Sequence, residues 1–228
     1  MRLGGLIKNT TLDFPGHIAA VLFTQGCNFT CPYCHNPQLV RLFSEPLDEA
    51  EALTFLRRRR RYLTGVVVSG GEPTIQPDLA ELCKKLQDMD YSVKLDTNGS
   101  APIVLSDLIE RRLINYLALD IKAAPQAYPP EIAPKDPGEA IMESIAILKS
   151  SGLPYEYRVT AAAPFITSQS FENISRAVAG EAPLFLQSCR LETNLDPDFM
   201  KRHPPPKIEE LKKWAALPTN CLPVHLRG

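Results

Sequence analysis

The chain has 228 residues, 44% hydrophobic and 22% charged, a composition typical of a soluble globular protein with one substantial core. Its formal net charge is −1, so no overall field recruits nucleic acid or an anionic membrane. No apolar run approaches the roughly 20 residues a membrane span needs. The opening MRLGGLIKNTTLDFPG lacks an export signal, which predicts a cytoplasmic protein whose six cysteines are thiols or metal ligands rather than disulfides.

In chain order, Ile18–Phe23 reads as a buried strand and Asp48–Tyr62 as a helix with Asp48 at its N-cap. The run Arg57–Arg61 reads as the solvated end of that helix, or as a basic patch for a protein or phosphate partner. Strands are predicted at Gly65–Ser69, Tyr91–Leu95, Tyr116–Ile121, Tyr155–Ala161 and Pro183–Gln187. Helices are predicted at Asp78–Met89, Pro102–Arg112, Gly138–Ser150 and Ser168–Ala179. Six strand–helix alternations predict parallel, right-handed βα units. A closed eight-stranded barrel usually needs about 250 residues, so the expected fold is α/β, a partial, open (βα)6 barrel. Its domain would span 1–194, with a Pro-rich C-terminal extension over 195–228 carrying one helix at Lys207–Ala216. Functional groups belong at the C-terminal ends of such strands.

Cys27, Cys31 and Cys34 follow the first strand directly, in QGCNFTCPYCHNP. Three thiolates at C-x3-C-x2-C spacing suit an iron–sulfur cluster with one iron left open, or a zinc site. His35 is a poor fourth ligand because it adjoins Cys34. Cys83 lies in an apolar helical pattern and reads as core, Cys221 reads as structural, and Cys189 follows a strand end. Ser69-Gly70-Gly71-Glu72-Pro73 follows the second strand; two glycines permit close approach to a ligand, and a carboxylate there can accept from an ammonium. Asp96-Thr97-Asn98-Gly99 follows the third strand and Asp120-Ile121-Lys122 ends the fourth. Arg158 stands among apolar neighbours in the fifth, where a charge is costly unless paired. A ligand carboxylate would resolve that, as would Asp120 or Glu156.

These motifs, in this order, resemble those of the radical S-adenosylmethionine superfamily. Asp13-Phe14-Pro15-Gly16, Cys34-His35-Asn36-Pro37, DTNG and DIK are similar to the glycyl-radical-enzyme activating enzymes within it. The activating proteins of anaerobic ribonucleoside-triphosphate reductases are the most similar group, and the ending Val224-His225-Leu226-Arg227-Gly228 resembles theirs. The resemblance covers roughly residues 3 to 190.

It implies an oxidoreductase in which Cys27, Cys31 and Cys34 hold a [4Fe–4S] cluster that reductively cleaves S-adenosylmethionine, leading to a glycyl radical on a partner enzyme. Tyr33 would lie near the adenine. Gly70, Gly71 and Glu72 would hold the methionine amino group. Asn98, Lys122 and Arg158 would contact ribose or carboxylate, with Lys122 also counted as catalytic. Asp96, Thr97 and Asp120 match positions that bind a monovalent cation in pyruvate formate-lyase activating enzyme, although Ala118 replaces a methionine there and its late-chain histidine has no counterpart. The implied partners are the glycyl radical enzyme and a flavodoxin- or ferredoxin-like electron donor, with no nucleic acid or membrane. A radical enzyme acting on a small molecule or RNA, of the 7-carboxy-7-deazaguanine synthase type, is the alternative. A non-catalytic zinc module is the second.

Overall fold

The computed structural model describes residues 1–42, 45–190, 192–217 and 224–227, so Cys221 lies outside the described residues. Eight strands follow one another in one sheet in sequence order: β1 (Leu3–Thr10), β2 (Ala19–Thr24), β3 (Gly65–Gly70), β4 (Ser92–Thr97), β5 (Tyr116–Ile121), β6 (Tyr155–Ala161), β7 (Leu184–Ser188) and β8 (Val224–Arg227). β1 pairs antiparallel with β2, while β2–β3, β3–β4, β6–β7 and β7–β8 are parallel. The order has two ends, so the α/β expectation of an open parallel sheet holds.

Two strands add to the six expected. β1 carries two glycines and a polar end in LGGLIKNT, so its composition gives little strand signal. β8 has only four residues and returns the Pro-rich tail to the sheet beside β7. The helices are α1 (Pro37–Val40), α2 (Glu49–Arg59), α3 (Leu79–Gln87), α4 (Pro102–Glu110), α5 (Gly138–Ser151), α6 (Ser168–Ala177), α7 (Pro197–Arg202) and α8 (Ile208–Ala215).

The chain divides into two compact units. The first holds residues 1–28, 38–97 and 103–117. Its centre is Phe14, Ala19, Val21 and Val67, with Phe23 and Tyr116 against them. Val66, Val67 and Val68 are fully buried, because a parallel strand is covered on both faces. Gly65 is glycine for a packing reason: a Cβ there would stand 2.7 Å from the Phe14 ring. α2 begins where the Asp48 carboxylate accepts the Ala50 N–H at 2.9 Å. Its acidic first turn (Glu49, Glu51) and basic last turn (Arg57, Arg58, Arg59) both complement the helix dipole. Arg60 departs from the solvated reading of the basic run. It donates to the carbonyls of Met89 and Asp90, each at 2.7 Å, and stacks over Tyr91.

The second unit holds residues 29–37, 98–102 and 118–228. α5 buries Ile141, Ile145 and Leu148 and stops at Gly152 in the left-handed conformation, φ +67°. α6 begins in a capping box between Thr167 and Ser170. α8 packs on β7 and β8, its Trp214 stacked beside Phe171 of α6.

Cys83 of α3 is fully buried, and burial pushes its thiol from the ordinary 9.0 up to about 12. A group that holds its proton more tightly when folded contributes stability below pH 9 that is lost as pH rises toward 12. The stability advantage of wild type over Cys83→Ala should therefore shrink above pH 9, by about 1.4 kcal/mol per pH unit. Urea unfolding of both proteins across that range measures it; a constant difference would refute the assignment.

Candidate active site

The first unit contributes the start of the cysteine loop. β2 ends at Thr24, and Gln25 and Gly26 lead into Cys27. The Gly70–Gly71 pair at the end of β3 lies directly on this turn. The Gly71 N–H donates to the Thr24 carbonyl at 2.9 Å, and the Glu72 N–H to the Gly26 carbonyl at 2.8 Å. A Cβ on Gly70, at φ +123°, would fall 2.2 Å from the Thr24 nitrogen; one on Gly71 would fall 1.9 Å from the Gly26 oxygen. What these glycines approach most closely is thus the backbone that aims Cys27.

Glu72 is buried, and its Oε1 accepts from the Thr74 N–H (3.1 Å), the Thr74 hydroxyl (2.6 Å) and the Thr97 hydroxyl (2.7 Å). Thr97, expected at a cation, is therefore part of the carboxylate's own mount. Asp96 faces the Lys94 ammonium at 3.0 Å, and that ammonium also donates to the Asp13 carbonyl at 2.6 Å. Lys94 was not singled out in the sequence. The signal is the one that marked Arg158, a charge at an inward position of an otherwise apolar strand.

The second unit holds Cys31 and Cys34, joined by a turn in which the Cys34 N–H donates to the Cys31 carbonyl at 2.9 Å. The segment after β5 grips this part of the loop. Thr30 donates through its N–H to Ile132 (2.8 Å) and through its hydroxyl to Glu131 (3.1 Å), and Phe29 packs on Tyr128. On another side, the Asp196 N–H donates to the Pro32 carbonyl at 2.9 Å. Tyr33 is buried beside Phe165, and its hydroxyl donates to the Lys122 carbonyl at 3.3 Å. The Lys122 N–H in turn donates to the Tyr128 hydroxyl at 3.0 Å. Tyr128 sits in a Pro-rich loop that gave no sequence signal.

Lys122 is therefore fixed at both backbone groups, and its ammonium meets Asp120 at 3.1 Å. Arg158 grips the same carboxylate with two nitrogens, Nε at 2.7 Å and Nη2 at 3.1 Å. This is the Asp120 pairing, one of the three partners anticipated for Arg158; Glu156 instead pairs with Arg227. Burial alone would raise the Asp120 carboxyl, but the Arg158 guanidinium and the Lys122 ammonium outweigh it and hold it far below the usual range. Burial opposes the charge on Lys122, yet Asp120 holds its ammonium above the ordinary value. One carboxylate thus holds two cations, Arg158 and Lys122.

Asn98 is buried, its Oδ1 accepting the Ser100 N–H at 3.0 Å. Burial pushes the Cys31 thiol up to about 11 against the pull of Lys122, so a metal taking its thiolate displaces a proton. Cys189 is buried, with its Sγ 3.5 Å from the Arg190 carbonyl.

Among the described residues, no three His, Cys, Asp or Glu side chains are grouped as they stand to grip a metal ion. The donor set fits a cluster on chemical grounds: three soft thiols within eight residues of one loop, none of them in a disulfide.

Residues 21–178 match the model of the Radical SAM superfamily. The chain belongs to that superfamily. Its cofactors are accordingly a [4Fe–4S] cluster and S-adenosylmethionine, which sets aside the zinc-module reading. The chain is 30% identical over 219 residues to a "Putative glycyl-radical enzyme activating enzyme" of Methanocaldococcus jannaschii, covering 92% of this chain and 89% of that one. It is 40% identical over 97 residues to the pyruvate formate-lyase-activating enzyme of Staphylococcus aureus, covering 39% of this chain and 38% of the other. Among solved structures, TYW1 with a lysine-pyruvate adduct superposes with a TM-score of 0.59 at 19% identity, covering 86% of this chain and 71% of that one. SuiB of Streptococcus suis with its precursor peptide SuiA superposes with a TM-score of 0.59 at 14% identity, over 91% of this chain and 48% of that one. At such identities the superpositions speak for the fold. No helix among the described residues is long and apolar enough to cross a membrane.

The glycine contacts generate a direct test. Gly71→Ala places a methyl against the Gly26 oxygen and should displace the turn that carries Cys27. Reconstituted anaerobically, this variant should lose most of its iron and labile sulfide while keeping wild-type circular dichroism. Full iron content would show that Cys27 is positioned by something else.

Proposed function

We propose that this chain is a glycyl-radical-enzyme activating enzyme whose partner is an anaerobic ribonucleoside-triphosphate reductase. The observation that carries the activase reading is the similarity to an activating enzyme along 92% of the chain, well beyond the cysteine loop. The reductase as partner rests on the finer resemblance to that group's activating proteins, in which the ending Val224-His225-Leu226-Arg227-Gly228 takes part.

In this reading Cys27, Cys31 and Cys34 hold the cluster, which when bound supplies the electron that splits the sulfonium of S-adenosylmethionine, so that hydrogen is taken from a glycine Cα of the partner. The remaining work falls to the chain's own groups. Glu72, its Oε1 fixed by three donors, holds a negative charge at one place for the methionine ammonium. Lys122 and Arg158, both held on Asp120, suit the methionine carboxylate. Asp120 orients both cations; Tyr33 and Tyr128 fix the Lys122 backbone. The two carboxylates matched to a monovalent cation each face a protein cation, Asp96 with Lys94 and Asp120 with Lys122 and Arg158.

The test is anaerobic incubation of reconstituted protein with S-adenosylmethionine, a reductant and an anaerobic ribonucleoside-triphosphate reductase. Wild type should give a glycyl radical signal in electron paramagnetic resonance, and Cys31→Ala none. Lys122→Met, which removes one charge-assisted contact, should lower the rate of radical formation by about 10- to 100-fold. Absence of a glycyl signal together with turnover of a purine precursor would overturn the reading in favour of small-molecule chemistry.

A further inference from the structure

The motif resemblance implies a monovalent cation at Asp96, Thr97 and Asp120. A hard cation of that kind is held by several oxygen donors converging on one point. In the second unit, Asp120 already holds the Arg158 guanidinium and the Lys122 ammonium, and the side chain of Ala118 brings no donor atom. In the first unit, Thr97 donates its hydroxyl to Glu72 Oε1 at 2.7 Å, and Asp96 Oδ1 lies 3.0 Å from the Lys94 ammonium. Each carboxylate expected to ligate the ion thus carries a side-chain cation of this chain. These residues do not fit a free ion.

Lys94 has the surroundings that the ion would need. It is 1% exposed, which is rare for a lysine. Its register partner on β3 is Val67, so it starts from the layer that Val67 and Phe14 fill. Asp96 stands two residues further along β4, on the same face of the strand. The ammonium meets the Asp96 carboxylate at 3.0 Å and the Asp13 carbonyl at 2.6 Å, and it lies over the Tyr116 ring, 5.7 Å from the centroid. A carboxylate, a carbonyl oxygen and an aromatic face are also partners that an alkali ion takes. An ammonium matches a potassium ion closely in charge and size. The difference is the tether, since a lysine carries its charge on the strand and recruits nothing from solvent. Like charges disfavour each other strongly where water is excluded, so a second cation on the same carboxylate is opposed.

We infer that this chain needs no free monovalent cation, because the Lys94 ammonium is its built-in substitute at Asp96. The inference goes beyond the activase reading and rests only on the chain's use of S-adenosylmethionine. It also makes Lys94 a positioning residue. Asp96 adjoins Thr97, whose hydroxyl mounts Glu72, the group proposed for the methionine ammonium. On its other side Lys94 ties the Asp13-Phe14-Pro15-Gly16 segment to β4, and the Thr10 hydroxyl holds the Asp13 carboxylate at 2.6 Å. Two motifs that are separate in the sequence, DFPG and DTNG, therefore meet at one ammonium.

The test compares potassium with tetramethylammonium, a monovalent cation too bulky to sit among converging oxygens, at equal ionic strength on the reconstituted full-length protein. One readout is the midpoint of thermal unfolding, which an ion bound by the folded state alone raises by mass action. The other is the Kd for S-adenosylmethionine, from anaerobic titration calorimetry. For wild type the midpoint should be the same in both salts, and the Kd should agree within about twofold. A saturable gain of about tenfold in affinity with potassium would overturn the inference. Lys94→Ala, which opens room for an ion, should bind S-adenosylmethionine about tenfold more weakly in tetramethylammonium, and potassium or ammonium should restore most of that loss. Wild-type affinity of Lys94→Ala in tetramethylammonium would overturn the inference as well. So would a loss that neither ion restores, since Lys94 would then act by packing alone. The wild-type comparison needs no variant, so it decides even where Lys94→Ala does not fold. Failure of the activase reading would show separately, as potassium-independent binding of S-adenosylmethionine with no glycyl radical on the reductase.

Discussion

A charge turned inward from a buried parallel strand must meet its opposite on the same face, because an unpaired ion there costs several kcal/mol. Asp120 obeys this constraint twice over, gripped by Arg158 from the neighbouring position on β6 and approached by Lys122 two residues along its own strand. The pairing does more than cancel a penalty. It fixes two cations on one carboxylate, Arg158 from within β6 and Lys122 just past the end of β5. Lys122 is further held by tyrosines on both sides of its peptide units, so its ammonium has little freedom left beyond the side chain. A group that must contact a ligand carboxylate at a defined place benefits from having that freedom removed beforehand.

The glycines of the first unit act by a different constraint, exclusion of a side chain from a backbone crossing. Gly70 and Gly71 let the end of β3 lie on the Thr24–Gly26 turn, and the hydrogen bonds from Gly71 and Glu72 lock that crossing. The same short segment then delivers Glu72, whose carboxylate is mounted by Thr74 and Thr97. The aim of Cys27 and the placement of the Glu72 carboxylate are thus set by one backbone contact. Changes at either glycine act on both.

Much of this was legible beforehand. Tyr155–Ala161 and Tyr116–Ile121 match their expected limits, since β-branched and aromatic runs bounded by turn residues leave little choice of register. Asp48 as a cap and Gly152 as a stop likewise follow from local chemistry. The inward charges could be noticed as charges in apolar strands, but their partners could not be chosen. Arg158 had Asp120 and Glu156 to choose between, and only the three-dimensional register assigns Asp120 to it and Glu156 to Arg227, 71 residues further along the chain. Tyr128 and the grip of residues 128–132 on Thr30 were invisible, because a proline-rich loop has no periodicity from which to read a contact. The glycine pair gives no sequence sign that the protein's own backbone, at Thr24 and Gly26, lies against it.

β8 shows how far this coupling reaches. A strand of four residues paired along one side, to β7, has few hydrogen bonds with which to hold its place. Glu156, nearly inaccessible to water, is a buried anion on β6 that Arg227 faces at 3.3 Å. Arg227 neutralises Glu156 and lies over Phe185, and in doing so it docks β8 through contacts stronger than its short ladder. The consequence is that the inward face of β6 carries two ion pairs of different purpose. Arg158 faces Asp120, which also holds Lys122, while Glu156 pairs with Arg227 and so fastens β8. The two pairs are thereby set from two alternate positions of a single strand, so the geometry of one is tied to the geometry of the other by the rigidity of β6 itself.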